Sequence, residues 1–443
     1  MQDLEENKKS DFVIEKIKER PINKKKLLRR TLITASMAVM FGLIACFTFL
    51  LIEPIISNWL YPQEEPPKVV IFPEDEEEMK PEEMLGGNKD EDKATQGLSS
   101  TAIDKKKRQE VFAAMEYYQW DVNDYAKMYE TLGEFARDLQ EYLVTVTAQE
   151  KNQDWLDSND SKKTNISGVV VGNNGRDLLI LTSYNSIKAA DAIMVTFADG
   201  YMQEARILQK HTSSDIAIVA VSISDMGEKI NQVRVAPLGY GNPEGYMTTP
   251  VIALGKTIEE IDVIQYGTII SHNNEAILVD ANFELLMTDI NGTTGSTGFL
   301  FNLKGQIIGM IPGKKPSSEI RNMVMAYEIS DIKRLISRLS NGYEIPYAGI
   351  SGTMVSQEAH MEAKVPLGIY VKNVAMNSPA MMAGIQPGDV LVAINDKEIV
   401  EFKDYFNNLA AQESGETIRL KVMRWVVNDF RELEFNIVLS QAK

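Results

Sequence analysis

From Tyr142 to about Ala326 the chain is broken into short β-rich runs, and this spacing limits its fold more than any other feature. Leu143–Thr147 alternates with a period of two, and further runs follow at Gly168–Val171, Leu178–Leu181, Ile193–Phe197, Ile216–Val221, Val251–Leu254, Thr268–Ser271, Ala276–Val279 and Ile307–Ile311. Many short strands separated by turn residues argue for an all-β barrel or sandwich. Ser330 then reads as the N-cap of a helix running through Leu339 and stopped by Asn341-Gly342, which marks a domain boundary. A chain of 443 residues exceeds what a single core sustains, so two or three domains are expected, and a 44% hydrophobic content can fill them.

The N-terminal third is organised differently. Thr31–Ile52 carries no charge over 22 residues, enough for a helix to cross a hydrocarbon layer about 30 Å thick. Lys24, Lys25, Lys26, Arg29 and Arg30 precede it and Glu53 follows, so the positive-inside rule puts residues 1–30 in the cytoplasm and everything after Pro54 outside. Leu43-Ile44-Ala45-Cys46 resembles a lipobox, but the apolar run continues through Phe47, Phe49, Leu50 and Leu51, and the charged arm is long for a signal sequence. An uncleaved anchor is therefore expected. Residues 53–104 hold several prolines and an acid run, and read as an extended, self-repelling linker. In the 105–140 segment, Val122, Tyr125, Met128, Tyr129, Leu132, Phe135, Ala136 and Leu139 recur at three- and four-residue steps, the apolar face of an amphipathic helix that docks on its own domain or forms an oligomer seam.

Charge and composition exclude several function classes. Of the net charge of −17, the stretch from Glu64 to Lys93 supplies −8, with twelve acidic residues against four lysines. No basic patch offers itself to phosphates, so nucleic acid is not an expected partner. The single cysteine, Cys46, rules out an intramolecular disulfide. No Walker A loop, dinucleotide fingerprint or metal-ligand spacing occurs, so neither a cofactor nor a metal is expected.

Several fragments, taken in order, resemble the HtrA/Deg serine proteases. Ile166-Ser167-Gly168-Val169-Val170 is similar to that family's G-S-G strand opening, and Leu181-Thr182-Ser183-Tyr184-Asn185-Ser186-Ile187 falls where members read L-T-N-x-H-V. Val195–Gly200 resembles the strand and turn after the histidine. Ser214-Asp215-Ile216-Ala217-Ile218 resembles the segment with the triad aspartate, and Thr294-Gly295-Ser296-Thr297-Gly298 lies where G-N-S-G-G is expected. The resemblance implies a mainly β fold, a chymotrypsin-like double barrel over 141–340. It implies Asp215 as the orienting acid, Ser296 as the nucleophile position and Asn185 in the position of the base.

That last substitution decides the chemistry. A serine hydroxyl attacks only when a neighbouring base takes its proton, and a carboxamide does not titrate near neutral pH. Loss of the histidine in one such triad costs on the order of a million-fold, roughly 8 kcal/mol of barrier. Asn185 retains amide hydrogens with which to bond Asp215. The resemblance also implies an oxyanion hole at Thr294, Gly295 and Ser296, where β-branched Thr294 replaces a glycine. The three histidines, His211 and His272 in turns and His360 near the C-terminus, all read as solvated.

Residues 343–443 resemble an HtrA-type PDZ domain. Gly368–Val371 reads as a strand, Asn377-Ser378-Pro379-Ala380 opens a short helix, and Ala383-Gly384-Ile385-Gln386-Pro387-Gly388-Asp389-Val390-Leu391 matches the family's turn and strand. Phe402–Ala411 suits the groove helix and Ile418–Val422 a closing strand. The resemblance implies that backbone N–H groups of Tyr347, Ala348, Gly349 and Ile350 receive a peptide's terminal carboxylate, the peptide adding as a strand. The expected function is a membrane-anchored pseudoprotease that binds unfolded or C-terminal polypeptides outside the membrane as an adaptor, sensor or holdase. An active envelope endopeptidase and a structural assembly protein are the alternatives, and a homo-oligomer is compatible with each.

Overall fold

The computed structural model describes residues 28–29, 31–44, 47–48, 67–72, 121–150, 162–241, 246–258, 260–313 and 322–441. Two units emerge, Met1–Pro66 and Pro67–Lys443. In the first, residues 31–44 are helical. Among the described residues no helix is long and apolar enough to cross a membrane. Residues 45–46 and 49–52 of the expected span, with Cys46, lie outside the described residues, as do 53–66 and 73–104 of the expected linker and 105–120 of the helical segment.

In the second unit, β1 (Leu143–Glu150), β2 (Lys162–Asn173), β3 (Asp177–Ser183), β4 (Ala192–Thr196), β5 (Met202–His211) and β6 (Ile216–Ser222) close a barrel in the order β1-β2-β3-β6-β5-β4. A second barrel, β10-β11-β12-β9-β8-β7, is built from β7 (Pro250–Lys256), β8 (Val263–Ile277), β9 (Asn282–Asn291), β10 (Thr297–Phe301), β11 (Ile307–Ile311) and β12 (Met323–Glu328). The apolar runs are continuous because both faces of these strands are covered. Leu178, Ile180, Ala217 and Val219 point into the first barrel, whereas Leu179, Leu181, Ile216 and Ile218 join Leu254, Phe299 and Phe301 in a core shared between the barrels. Alternate residues of one strand thus serve two cores. Gly255 and Gly298 let β7 and β10 approach: a Cβ at Gly298 would lie 2.3 Å from the Leu254 carbonyl oxygen.

Two sequence expectations are corrected. Thr268–Ser271 and Ala276–Val279 are not separate strands around a hairpin at His272; β8 runs unbroken through that histidine. The polar Ser271–Asn274 stretch marks a slip in register against β9, a bulge whose composition imitates a turn. Ser330 is not an N-cap either. β12 passes directly into α2 (Ile329–Ser340), leaving Glu328 in the cap position, and Ser330 Oγ donates to Glu328 Oε1 at 2.9 Å.

Helix α1 (Val122–Gln140) starts from a capping box between Asp121 and Asp124. Its C-terminal end docks through Ala136 and Leu139, while Val122, Tyr125, Met128 and Tyr129 stay exposed. Part of the expected linker lies on the body: Val70 and Phe72 pack against the shared core. Asn341 clamps Val70, its Oδ1 accepting the Val70 N–H at 2.8 Å and its Nδ2 donating to the Val70 carbonyl at 2.6 Å.

The C-terminal domain is a sheet in the order β14 (Ile350–Met354), β15 (Ile369–Val374), β16 (Val390–Ile394), β18 (Thr417–Val426) and β19 (Asp429–Val438), with β17 (Lys397–Glu398) on β16. β13 (Pro346–Tyr347) pairs with β20 (Ser440–Gln441), and helices α3 (Gln357–Ala363), α4 (Pro379–Ala383) and α5 (Phe402–Ala410) complete it. Ser378 caps α4 with Pro379 at its first position, and Gly384 ends it at φ +98°. Asp389, 1% exposed, takes both Arg424 Nε (2.7 Å) and Nη2 (2.8 Å).

Candidate functional site

The turn after β3 and the start of β6 bring Asn185 and Asp215 together. Asp215, buried and at φ +62°, accepts the Asn185 backbone N–H on Oδ1 at 2.5 Å and the Ser183 hydroxyl on Oδ2 at 2.8 Å. Its own carbonyl accepts the Tyr184 N–H. The link expected from the Asn185 carboxamide is made instead by its main chain. The side-chain Oδ1 turns to Lys188 Nζ at 3.1 Å, since an amide oxygen is drawn to a cation and repelled by a carboxylate. Burial, then the Asp215 carboxylate, pushes the Tyr327 phenol well above its ordinary value.

Ser296, 4% exposed, lies at the head of β10. Its hydroxyl oxygen is 2.5 Å from the Thr257 carbonyl and 2.7 Å from that of Thr293, and accepts the Thr293 N–H at 2.9 Å. Its one proton therefore has two backbone acceptors, and among the described residues no imidazole, carboxylate or amine is hydrogen-bonded to it. The Ser296 N–H donates to the Thr293 carbonyl at 3.2 Å, closing a turn over exposed Thr294 and Gly295. Gly295 takes φ +91°, and Thr294 is absent from the positive-φ residues, so its branched side chain causes no backbone strain here.

Of the three histidines, His211 departs furthest from expectation. His211 is not solvated: it is 5% exposed at the end of β5, with Nδ1 2.7 Å from Ser214 Oγ and Nε2 3.3 Å from Ser213 Oγ. Burial pushes its imidazole down to about 4, so it is neutral near pH 7. His360 is exposed, its Nδ1 2.7 Å from the Val365 carbonyl. Among the described residues no cluster of His, Cys, Asp and Glu could hold a metal.

The Tyr347–Ile350 loop shows a second arrangement, which sequence reading missed. The N–H groups of Ala348 and Gly349 donate to Asp280 Oδ2 at 2.8 and 2.7 Å, and that of Ile350 to Oδ1 at 2.9 Å. The Tyr405 hydroxyl adds a fourth bond to Oδ1 at 2.9 Å. Gly349 makes this cradle possible: it sits at φ +93°, and a Cβ there would fall 2.2 Å from that of Ser378. Asp280 comes from the β8–β9 turn, at φ +58° and 3% exposed. Burial raises its carboxyl above the ordinary range, against the opposing pull of the four hydrogen bonds. Nothing local in Leu278-Val279-Asp280-Ala281 announces this role, because a turn aspartate reads as solvated.

Comparison with known proteins agrees with this architecture. A trypsin-like peptidase domain matches residues 166–310 and a PDZ domain matches 346–439. The chain is 27% identical over 263 residues to the serine protease Do-like HtrB of Bacillus subtilis, covering 54% of each chain. It is 24% identical over 344 residues to a serine protease HtrA-like of Staphylococcus aureus, covering 71% of this chain and 42% of that one. The chain thus spans about half the length of the curated relatives it matches. Among solved structures, HtrA-type protease AlgW with decapeptide aligns with a TM-score of 0.49 at 18% identity, over 70% of this chain and 98% of that one. With a trypsin-like segment folded as two six-stranded barrels and a PDZ domain after it, the chain is similar to the HtrA/Deg proteases over both domains.

Proposed function

We propose that this chain is a membrane-anchored HtrA-type pseudoprotease that binds polypeptides through its PDZ domain and does not cleave them. One observation carries the reading: among the described residues the Ser296 hydroxyl is bonded only to backbone groups of Thr257 and Thr293, while the residue in the base position, Asn185, has no titrating group to take its proton. The Ser296 N–H is engaged within its own turn, so one of the donors in the oxyanion-hole positions is already committed to the Thr293 carbonyl. A buried but unactivated hydroxyl and a carboxamide leave peptide binding as the chemistry at hand. The PDZ loop supplies it through three convergent N–H groups. Thr31–Ile52 would hold the molecule in the membrane with its basic arm in the cytoplasm and both globular domains outside.

A fluorophosphonate serine probe and casein digestion test the reading, with Ser296→Ala as control. The unmodified protein is expected to label no more than the control and to leave casein intact. Labelling and cleavage that depend on Ser296 would establish an active endopeptidase instead, the activity after which the relatives are called. Association with membranes that survives alkaline carbonate washing, and is lost on deletion of residues 31–52, is the expected result for the anchor.

A further inference from the structure

We propose that the Asp280 side chain is a built-in occupant of the PDZ carboxylate cradle, so that a polypeptide with a free C-terminus enters only by displacing it and parting the β8–β9 turn from the PDZ domain. The inference rests on reading Tyr347–Ile350 as the peptide site. It goes further by naming the part of the ligand that is recognised and the contact that must break first.

Asp280 reproduces what a chain terminus would offer. Its two oxygens accept three consecutive backbone N–H groups and a tyrosine hydroxyl, a donor set built for an anion with four lone-pair sites. Its backbone N–H also donates to the Ile350 carbonyl at 2.6 Å, the first pairing an added strand would make with β14. β14 is an edge strand of its sheet. Further along that edge, Thr353 Oγ1 donates to Glu275 Oε2 at 3.0 Å, and beside the groove Phe283 of β9 meets Phe406 of α5 edge to face at 6.1 Å. The barrel therefore occupies the anion seat, the strand edge and the helix side together. A cavity of about 200 Å³, lined by His211, Ser213, Val279, Asp280 and Tyr347 among others, adjoins the seat.

This geometry selects a free terminus over an internal unfolded segment, because a segment without a carboxylate would leave three buried N–H groups unpaired once Asp280 withdrew. A tethered competitor lowers apparent affinity by the fraction of molecules in which the seat is open. Removing it should strengthen binding of carboxylate-bearing peptides and of nothing else.

The test uses the full chain and two fluorescein-labelled decapeptide pools randomised at their last four positions, one with free carboxylates and one amidated. By anisotropy, Asp280→Ala should bind the free-carboxylate pool about tenfold or more tightly than the unmodified protein, with no gain for the amidated pool. Amides of Ala348–Ile350, protected in the unmodified protein, should exchange faster in the variant. Asp280→Asn, which keeps the turn and one acceptor oxygen, should shift both readouts the same way by less, and serves if the alanine variant does not fold. Equal affinity of variant and unmodified protein for the free-carboxylate pool would overturn the plug while leaving the peptide site standing. An equal gain for the amidated pool would overturn recognition of the terminus. Failure of every protein to bind either pool would overturn the peptide-site reading and this inference with it.

Discussion

Lys188 Nζ and Asn185 Oδ1 lie 3.1 Å apart, so the residue in the base position is held by a surface cation while its backbone N–H serves Asp215. Asp215 keeps its hydrogen bonds from Ser183 and the Asn185 main chain in this half of the site, and on the proposed reading what is missing is a titrating group between it and Ser296. On the other side, the Ser296 oxygen is turned toward Thr257 and Thr293.

Asn185→His is accordingly expected to leave the protein inactive, with casein hydrolysis within about tenfold of background. Restoring an imidazole supplies a base, but the Ser296 N–H still bonds to Thr293, and absence of one oxyanion donor alone is worth about a hundred- to a thousand-fold. Initial rates on labelled casein decide it. Full activity from this single change would show that the turn at Thr293–Ser296 opens readily.

Two buried titrating groups give stability an unusual pH profile. Burial, with Asp331 and Glu284 adding like charge, pushes Glu328 up to about 8, so the folded state binds the extra proton and stability falls as pH rises from about 4.5 to 8. His211, pushed down to about 4, acts oppositely: the folded state excludes a proton, and stability falls as pH drops from 6.5 to 4, by roughly 3 kcal/mol. Urea midpoints should therefore rise from pH 8 to about 6.5, change little to 4.5, and fall below that. Glu328→Gln should flatten the limb above pH 6.5 and raise stability at pH 8 by on the order of a few kcal/mol.

Arg424→Ala should destabilise the PDZ domain by about 3–5 kcal/mol, since it strands the Asp389 carboxylate at 1% exposure and removes the donor to the Gly384 carbonyl. Thermal unfolding of the full chain followed by near-UV circular dichroism measures this. A shift of less than about 1 kcal/mol would mean that water reaches Asp389.

What the sequence disclosed follows the range of the interactions involved. The Ser378–Leu391 stretch was readable because its cap, proline and glycines act within a few residues, and its helix and strand fall where they were expected. The twin barrels were readable as a class, since β3 and β6 are apolar on both faces. Ser271–Asn274 misled because a bulge and a hairpin turn draw on the same polar residues. His211 and Asp280 are illegible for a different reason: one ends a strand and the other lies in a turn, and each is buried by segments distant in sequence, Asp280 by a loop 68 to 70 positions further along.

Asn341 shows how one residue can serve two purposes. Asn341-Gly342 stops the helix as the sequence predicts, with the left-handed step at Gly342 at φ +77° and an ordinary backbone at Asn341 at φ −94°. Most residues would end the helix equally well at that position. A carboxamide carries its donor and its acceptor on separate atoms of one planar group, which matches both main-chain groups of Val70, so position 341 tolerates change more readily as a helix terminus than as a fastening for the segment that comes before the barrels.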